Sequence, residues 1–390
     1  MKPLSDTLVL DLTQVIAGPT AGQILGDMGA DVIKVEPLHG EHFRPTLGGA
    51  WVPGMNRNKR GLALDLRTPG GRDVLMKLVH RADVFMEAFV PGVIDRLGFG
   101  WETLHAANPR LVYASISGYG QTGPYAPRAG YDPCIQAEVG LMDATGPEGG
   151  EICRVGTAPI DYCTGSFCAA GIAFALLHRH KTGLGQRLDL SLFEVGLHMM
   201  GHWLTNFART GENPVRMGTS NSLLFPLRVF ATRTKAVFVA GTNDSFWRIL
   251  CTALERHDWL NDARFATNDG RIAHRATLEP LIEAHFAAHT AEELLGRLIP
   301  AGMPCSAVER VGDLIDNPHV KARAALVELE YPGLGPVTAP VNPLRLSAAP
   351  AEVRRRSPEI GEHTLEILGE LGYAASEIAA LRAAKAVGIP

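Results

Sequence analysis

Short apolar runs alternate with helical stretches over the first 120 residues, and this alternation constrains the fold more than any other feature of the chain. After the third run, Thr68 and Pro69 mark a helix start, because threonine caps a helix N-terminus and proline suits the first helical turn. Strands separated by helices at this spacing predict a parallel sheet of βαβ units, so the expected fold class is α/β. The predicted strands are residues 7–12, 31–35, 61–66, 82–86 and 111–116.

The middle of the chain continues this pattern beyond a glycine-rich stretch at 118–156. A connection of that length in a compact protein is usually functional or disordered. A helix is predicted over 162–180 and a sixth strand at 187–192. A run of apolar residues at helical spacing then predicts a helix face packed in the core. These residues are Phe193, Leu197, Met200, Leu204 and Phe207.

A second unit begins near residue 218. It is predicted to hold antiparallel strands and three helices, the last of which opens with Thr290 and Glu293 in capping-box positions. The proline-rich stretch 332–358 suits an extended arm better than a packed element. We therefore expect three consecutive parts. They are a first, larger domain over 1–200, a small domain over 218–310, and an arm that returns toward the first domain or a neighbouring subunit over 325–390.

Composition and charge exclude several classes of protein. The 390 residues are 46% hydrophobic and 20% charged, and 37 Lys+Arg against 41 Asp+Glu leave no basic field to capture nucleic acid. Six cysteines are too few for a disulfide scaffold and none forms a Cys-x-x-Cys pair. No apolar run approaches the ~20 residues that span a bilayer, and Asp6 and Asp11 interrupt a signal-peptide core. We expect a cytoplasmic protein without nucleic-acid or membrane partners.

Cofactor and metal motifs are weak in this chain. The glycines after the first predicted strand, from Gly18 to Gly29, do not have the Gly-x-Gly-x-x-Gly spacing of a dinucleotide site. His178 and His180 are two residues apart, which places them on different sides of a helix where they could not share a metal ion. The sequence therefore predicts neither a bound nicotinamide or flavin nor a metal centre.

Asp161 is the most informative acidic residue, because it stands at the start of the long predicted helix beside the glycine-rich stretch. Its side chain could simply cap that helix. Alternatively, the helix dipole and free N–H groups could keep it ionised as a carboxylate nucleophile. Its position alone leaves both interpretations open.

An ordered set of short motifs runs from about residue 5 to residue 373. They are Ala17-Gly18-Pro19, Asn58-Lys59-Arg60, Gly130-Tyr131-Asp132, Gln136-Ala137, Gly140-Leu141-Met142, Thr145-Gly146, Asp161 with Thr164-Gly165, Lys181-Thr182-Gly183-x-Gly185-Gln186 and Gly361-Glu362-His363-Thr364. In this order they resemble the family III CoA-transferases, of the formyl-CoA and carnitine CoA-transferase type.

The resemblance implies a fold and a mechanism. It implies a large Rossmann-like domain built from both chain ends, a smaller domain between them, and two ring-like subunits interlocked in a homodimer. It also implies that Asp161 carries the acyl group as a mixed anhydride and then carries CoA as an aspartyl thioester. The substrates would be CoA thioesters and small carboxylic acids, with no tightly bound cofactor.

The resemblance also implies a set of CoA contacts. Arginines suit the CoA phosphates because a guanidinium pairs bidentately with phosphate. Pro37 and Ala88 depart from some relatives, which have arginine and asparagine there, so the phosphate end of CoA could be held differently. The implied contacts are Ala17, Leu64, Asp65, Leu66, Arg67, Phe89, Arg96, Arg128, Ala129, Gly130 and Tyr131.

Two alternatives remain open at this stage. Enzymes of the α-methylacyl-CoA racemase type have a histidine where this chain has Tyr131, so one of the two bases that a racemase needs is missing here. A CoA-binding protein without turnover would keep the same fold. Among transferases, the loop motifs resemble those that use succinyl-CoA and short dicarboxylates, and Arg154 is the candidate cation for a distal carboxylate.

Overall fold

The computed structural model describes residues 1–49 and 51–389, which form two compact units. The first unit contains Met1–Gly140, Val155–Leu204 and the chain from Lys321 onward. The second unit contains Leu141–Arg154 and Thr205–Val320.

The division assigns one loop, Leu141–Arg154, to the second unit, although this loop was expected within the first domain over 1–200. The carbonyl of Gly146 accepts a hydrogen bond from the N–H of Gly218 at 2.7 Å, and Arg216 Nη1 lies 2.7 Å from Asp143 Oδ1. These contacts place the end of the glycine-rich stretch in the second unit, because both partners come from sequence that the small domain was expected to contain.

Strands and helices alternate along the first unit as expected. The strands are β1 Leu8–Asp11, β2 Asp31–Glu36, β3 Lys59–Leu64, β4 Val84–Glu87, β5 Val112–Ser117, β6 Arg187–Ser191, β7 Leu227–Phe230, β8 Val237–Ala240, β9 Cys305–Ala307, β10 Leu326–Tyr331, β11 Gly335–Pro340 and β12 Val387–Gly388. The helices are α1 Ala17–Asp27, α2 Pro69–Val79, α3 Val93–Arg96, α4 Trp101–Ala107, α5 Asp132–Glu138, α6 Pro159–Thr182, α7 Leu192–Met199, α8 Gly201–Thr210, α9 Asp244–Ala253, α10 His257–Leu260, α11 Asn268–Ala273, α12 Arg275–Ala287, α13 Ala291–Leu298, α14 Pro318–Ala322, α15 Thr364–Glu370 and α16 Ala375–Ala383.

The central sheet of the first unit has the strand order β12-β3-β2-β1-β4-β5-β6. Strands β1 to β6 are parallel, which confirms the predicted α/β class, and β12 adds an antiparallel edge. The chain moves outward from β1 to β3 and then returns to place β4 on the other side of β1. Such a reversal opens a crevice at the carboxyl ends of β1 and β4, where α/β sheets bind ligands.

Helix α6 is the long helix predicted from the sequence, and it packs closely against α1. A Cβ on Gly165 would lie 2.5 Å from the carbonyl oxygen of Ala17, so only glycine permits this approach. Within the described residues, α6 is also the one helix long and apolar enough to cross a bilayer. Its contacts with α1 and with β5 and β6 make it a core helix of the first unit.

The predicted apolar stripe after β6 is only partly buried. It was expected to form one core-facing helix, but Leu204 and Phe207 are 48% and 45% exposed. That expectation was wrong because the helix ends at Met199 and α8 begins at Gly201, so the helical spacing does not continue on one face.

The second unit has its own core and a three-stranded antiparallel sheet in the order β7-β8-β9. Trp247, Trp259 and Phe286 are fully buried among its helices. The predicted capping box is confirmed, since Thr290 and Glu293 each bond the other's backbone N–H at the start of α13.

The proline-rich arm is not extended throughout, which corrects the expectation for its stretch 332–358. It begins as the antiparallel hairpin β10–β11, in which Pro336 faces Glu330 and Pro340 faces Leu326. A two-stranded ribbon tolerates proline because only alternate N–H groups pair across it. After an irregular stretch, α15, α16 and β12 return the chain to the edge of the central sheet beside β3.

Candidate functional site

A cavity of about 180 Å³, here called the first cavity, lies at the carboxyl ends of β1, β4 and β5. The segments that follow these three strands form one wall, and Asp161 of α6 forms another. This is the crevice that the reversal of strand order predicts.

A second cavity of about 500 Å³ adjoins the first. The two share Leu12, Gln14 and Phe89 in their walls. Most of its remaining wall comes from the ends of β2 and β3 and the residues that follow them. Together the two cavities offer a small compartment at Asp161 and a larger, mostly apolar one beside it.

Asp161 lies in the first turn of α6 and is 7% exposed. Within the described residues no group donates a hydrogen bond to its carboxylate. Burial, together with the negative charge of Asp132, raises the pKa of Asp161 to about 7. The side chain is therefore a buried acid that titrates near neutral pH.

Asp132, at the start of α5, provides the cap of α6. Its Oδ2 accepts the backbone N–H groups of Ile160 and Asp161 at 2.8 and 3.0 Å, and Gln136 Nε2 donates to its Oδ1 at 2.5 Å. The capping interpretation of Asp161 is therefore wrong, and the N–H groups of this turn are not free to hold the Asp161 carboxylate.

Asp132 stands in the motif Gly130-Tyr131-Asp132, from which no role for its side chain is predicted. The signal that could have found it is an acidic residue followed by proline in a glycine-rich loop, since that pattern marks a helix start. Its partners lie 28 and 29 residues away, and no local pattern indicates them.

Two glycine backbones meet in the wall of the first cavity. A Cβ on Gly118 would lie 2.7 Å from the Cα of Gly130, and a Cβ on Gly130 would lie 2.8 Å from the Cα of Gly118. Side chains at either position would push apart the loop after β5 and the loop before α5. Over residues 1–49 and 51–389, the N–H groups of Ala129, Gly130 and Tyr131 have no hydrogen-bond acceptor, and all three residues line the first cavity.

The structure divides the sequence-predicted contacts between the two cavities. Beside Asp161, the first cavity is lined by Ala17, Phe89, Arg128, Ala129, Gly130 and Tyr131. The second is lined by Leu64, Asp65, Leu66, Arg67 and again Phe89. Arg96 is exposed on α3 and lines neither cavity.

The arginines at the cavities have protein partners. Arg67 forms a bidentate ion pair with Asp65, with both N–O distances at 2.9 Å. Arg128 pairs with Glu138 and lies over the rings of Tyr119 and Tyr125, at 4.6 and 4.5 Å from their centroids. Either arginine would have to exchange its carboxylate partner for a phosphate in order to bind one.

A network of buried charges lies at the carboxyl end of β1. Lys59 Nζ lies 2.7 Å from Asp11 Oδ2, and Asp11 Oδ1 accepts the N–H of Thr13 at 2.9 Å. Lys34 Nζ donates to the carbonyl of Thr13 at 3.2 Å and lies 3.4 Å from Glu41. All four charged side chains are buried, and each ammonium group has a carboxylate partner.

This network fixes the loop between β1 and α1. Val15 has φ = 71°, a left-handed conformation that a β-branched residue rarely adopts. Glu41 accepts its N–H at 3.4 Å and Trp51 Nε1 donates to its carbonyl at 3.3 Å. Strained backbone of this kind concentrates at functional sites, and here it places Gln14 and Val15 in the wall of the first cavity.

Metal ligands are not grouped in the part of the chain that the structure describes. No cluster of three or more His, Cys, Asp or Glu side chains there could hold an ion. The cysteines from Cys134 to Cys305 are unpaired.

The chain is similar to known proteins over most of its length. The model of CoA-transferase family III matches residues 4–364. The succinate–glutarate CoA-transferase of Agrobacterium fabrum is 35% identical over 382 residues, which cover 95% of this chain and 96% of that protein. The succinyl-CoA–D-citramalate CoA-transferase of Chloroflexus aurantiacus is 34% identical over 398 residues, covering 99% of this chain and 98% of that protein. The crystal structure of a CaiB/BaiF family protein from Brucella suis superposes with a TM-score of 0.86 at 36% identity, covering 95% of this chain and 99% of that one.

Proposed function

This chain belongs to CoA-transferase family III and is a CoA-transferase, and from that premise we propose that Asp161 is the nucleophile that moves CoA from succinyl-CoA to a small carboxylic acid. The observation that carries the proposal is the geometry of Asp161. It is a buried carboxyl group without a protein hydrogen-bond donor in the described chain, and it lies in a cavity bordered by unoccupied backbone N–H groups.

The first half-reaction forms a covalent enzyme. The Asp161 carboxylate attacks the thioester carbonyl of the donor, the C–S bond breaks, and a mixed anhydride and CoA thiolate result. The thiolate then attacks the Cγ carbonyl of Asp161. The bond from Cγ to the bridging oxygen breaks, which releases the donor carboxylate and leaves an aspartyl-CoA thioester.

The second half-reaction reverses these steps with the acceptor. The acceptor carboxylate attacks Cγ of the aspartyl thioester and expels CoA thiolate, which forms a new mixed anhydride. The thiolate attacks the acceptor carbonyl and regenerates the Asp161 carboxylate. The overall reaction exchanges one thioester for another of similar free energy, so no nucleotide needs to be consumed, and each mixed anhydride is a transient intermediate of higher energy.

Developing negative charge on the attacked carbonyl oxygen needs hydrogen-bond donors. The unoccupied N–H groups of Ala129, Gly130 and Tyr131 line the same cavity as Asp161 and are the donors that we propose. The raised pKa of Asp161 has a chemical use as well, since a carboxylate that is poorly stabilised by its surroundings is a stronger nucleophile.

The substrate classes follow from the relatives. Both relatives described above are named for succinate or succinyl-CoA, and their second acids are glutarate and D-citramalate. We therefore propose a short dicarboxylic acid as the acceptor. The proposed CoA contacts are those that line the two cavities, together with the exposed Arg96, which lines neither.

We also propose that the protein is an interlocked homodimer in the cytoplasm. Helix α6 exposes Phe167, Phe174 and Leu177 by 43 to 69%, and an apolar row of this kind suits an interface with a second copy. The unpaired cysteines are consistent with a reducing compartment. Sedimentation velocity on the pure protein tests the dimer, and a 41.9 kDa species would reject it.

The deciding experiment measures exchange of CoA from succinyl-CoA to a panel of mono- and dicarboxylates by mass spectrometry. Asp161→Asn should lower the rate at least about 10³-fold, because no carboxylate remains to form the anhydride. Brief incubation of the wild type with succinyl-CoA and then borohydride should reduce the aspartyl thioester to an alcohol that peptide mapping finds at residue 161. Equal exchange by wild type and Asp161→Asn would reject this mechanism.

A further inference from the structure

The wall of the second cavity contains several charged side chains. Some of them pair with an opposite charge of the protein, and one does not. Glu36 in its wall is buried and bonded bidentately by Arg44, at 2.7 and 2.5 Å. Asp65 is bonded in the same way by Arg67. Lys385 lies in the same wall, and no carboxylate of the described residues pairs with it. The cavity therefore carries a positive charge that the protein itself does not neutralise.

The backbone holds Lys385 at this place. Its φ is 52°, a left-handed conformation that is unfavourable for a residue with a side chain. Immediately after it, the carbonyl of Ala386 accepts the N–H of Asp65 at 3.0 Å, and Val387 pairs with Leu64 as β12 joins β3. Lys385 directly follows the C-terminal end of α16, where the N–H of Ala386 bonds the carbonyl of Leu381 at 2.9 Å, so its left-handed conformation ends that helix and turns the chain into β12.

We propose that Lys385 binds a phosphate group of the nucleotide half of CoA in the second cavity. The inference rests on the function proposed above and adds a residue from the C-terminal segment to the substrate site. With the thioester at Asp161 in the first cavity, the chain of the substrate passes the shared wall at Gln14 and Phe89. The nucleotide then occupies the larger apolar space, where Lys385 meets its phosphates as a point charge.

The test compares ligands that differ only in their phosphates. Isothermal titration of the full-length protein gives Kd for CoA, 3′-dephospho-CoA and pantetheine. Lys385→Gln should raise Kd for CoA about three- to tenfold at low ionic strength, with a smaller effect as salt is added, because the lysine is exposed and its charge is screened. Pantetheine, which has no phosphate, should bind both proteins equally.

The comparison of CoA with 3′-dephospho-CoA identifies which phosphate group Lys385 contacts. If Lys385→Gln weakens CoA but not 3′-dephospho-CoA, the contact is to the 3′-phosphate. If it weakens both equally, the contact is to the diphosphate. Either result supports the proposal, and an unchanged Kd for CoA overturns it.

Three further variants distinguish the loss of the Lys385 charge from a disturbance of the local structure. Lys385→Gly relieves the left-handed strain, so it should fold as stably as wild type and yet lose affinity like Lys385→Gln. Lys385→Arg should restore most of the affinity. Arg382→Gln removes an exposed charge three residues earlier that does not line this cavity, and it should change Kd little.

Kinetics provides a second readout. Lys385→Gln should raise KM for the acyl-CoA donor while kcat and KM for the acceptor acid stay the same, which a general loss of structure would not produce. A wild-type protein that neither binds CoA nor transfers it would reject the proposed function itself. A wild-type protein that does both, with a Lys385→Gln variant indistinguishable from it, would reject only the role of Lys385.

Discussion

Asp11 at the end of β1 and Asp161 at the start of α6 are both buried carboxyl groups of the first unit, but their surroundings are opposite. Burial would raise the pKa of Asp11, yet the charges of Lys59 and Lys34 and hydrogen bonds from Lys59 and Thr13 outweigh it and lower that pKa. Asp161 has no such partners, and burial with the nearby Asp132 charge raises its pKa to about 7.

The difference shows how to distinguish a buried carboxyl group that stabilises the fold from one that is free to react. A carboxylate surrounded by donors is held in place and is a poor nucleophile, because its charge is already stabilised. A buried carboxyl group without donors destabilises the fold above its pKa, and its ionised form is the more reactive for lack of stabilisation.

The largest effect should come from removing a partner of Asp11. Lys59→Met leaves that carboxylate buried without its closest cation and should lower the free energy of unfolding by about 3–5 kcal/mol in urea titrations. The double variant Asp11→Asn/Lys59→Met removes both charges and should recover part of the loss. Additive losses in the double variant would show that the two side chains do not act as a pair.

The stability of Asp161→Asn should depend on pH in a defined direction. The pKa of Asp161 is higher in the folded than in the unfolded protein, so ionisation disfavours folding as pH rises from about 4 to about 7. The variant should therefore be more stable than wild type at pH 8, by up to about 4 kcal/mol, and no more stable at pH 4.

Asp11→Asn is the matched control, because its carboxylate is stabilised in the folded state and its loss should destabilise the protein at pH 8. Thermal and urea unfolding at both pH values measure the two variants. If both variants, or neither of them, were more stable than wild type at pH 8, the proposed distinction between the two carboxyl groups would be wrong.

The smallest expected effect is a shift of a pH profile, which measures the contribution of Asp132 to the pKa of Asp161. Asp132→Asn keeps an oxygen that accepts the N–H groups of Ile160 and Asp161 but removes the negative charge that raises the pKa of Asp161, together with the hydrogen bond from Gln136 Nε2. Because Asp161 must be ionised to act as the proposed nucleophile, kcat/KM for the acyl-CoA donor should rise with pH up to about 7 in wild type. In the variant this rise should occur at lower pH, by less than the part of the shift that burial causes. A profile that does not move would mean that burial alone sets the pKa.

Local pattern predicted the parallel strands of the central sheet within a few residues, because apolar periodicity and helix-start signals are properties of short segments. It did not predict the pairing of Lys59 with Asp11, since those residues are 48 positions apart and read separately as charged residues near strands. The cap supplied by Asp132 was missed for the same reason. The two-residue strand β12, which places Lys385 in the second cavity, is too short for any periodicity to reveal.

Resemblance to the family III CoA-transferases supplied what periodicity could not, namely the choice of Asp161 and of the loop residues around it. It did not indicate which of those residues share a cavity, or that Arg67 and Arg128 already have carboxylate partners. Such pairing depends on side-chain positions that motifs do not encode.

The contact between Gly118 and Gly130 has a consequence for how this site can change over evolution. Because each glycine occupies the space where the other's side chain would stand, neither position can vary until the other loop has moved. A substitution at one must be preceded by a compensating change elsewhere, so new acceptor specificities are reached through neighbouring side chains while these two positions stay fixed. Libraries aimed at altered specificity would therefore vary Tyr119 and Tyr131 and leave both glycines untouched.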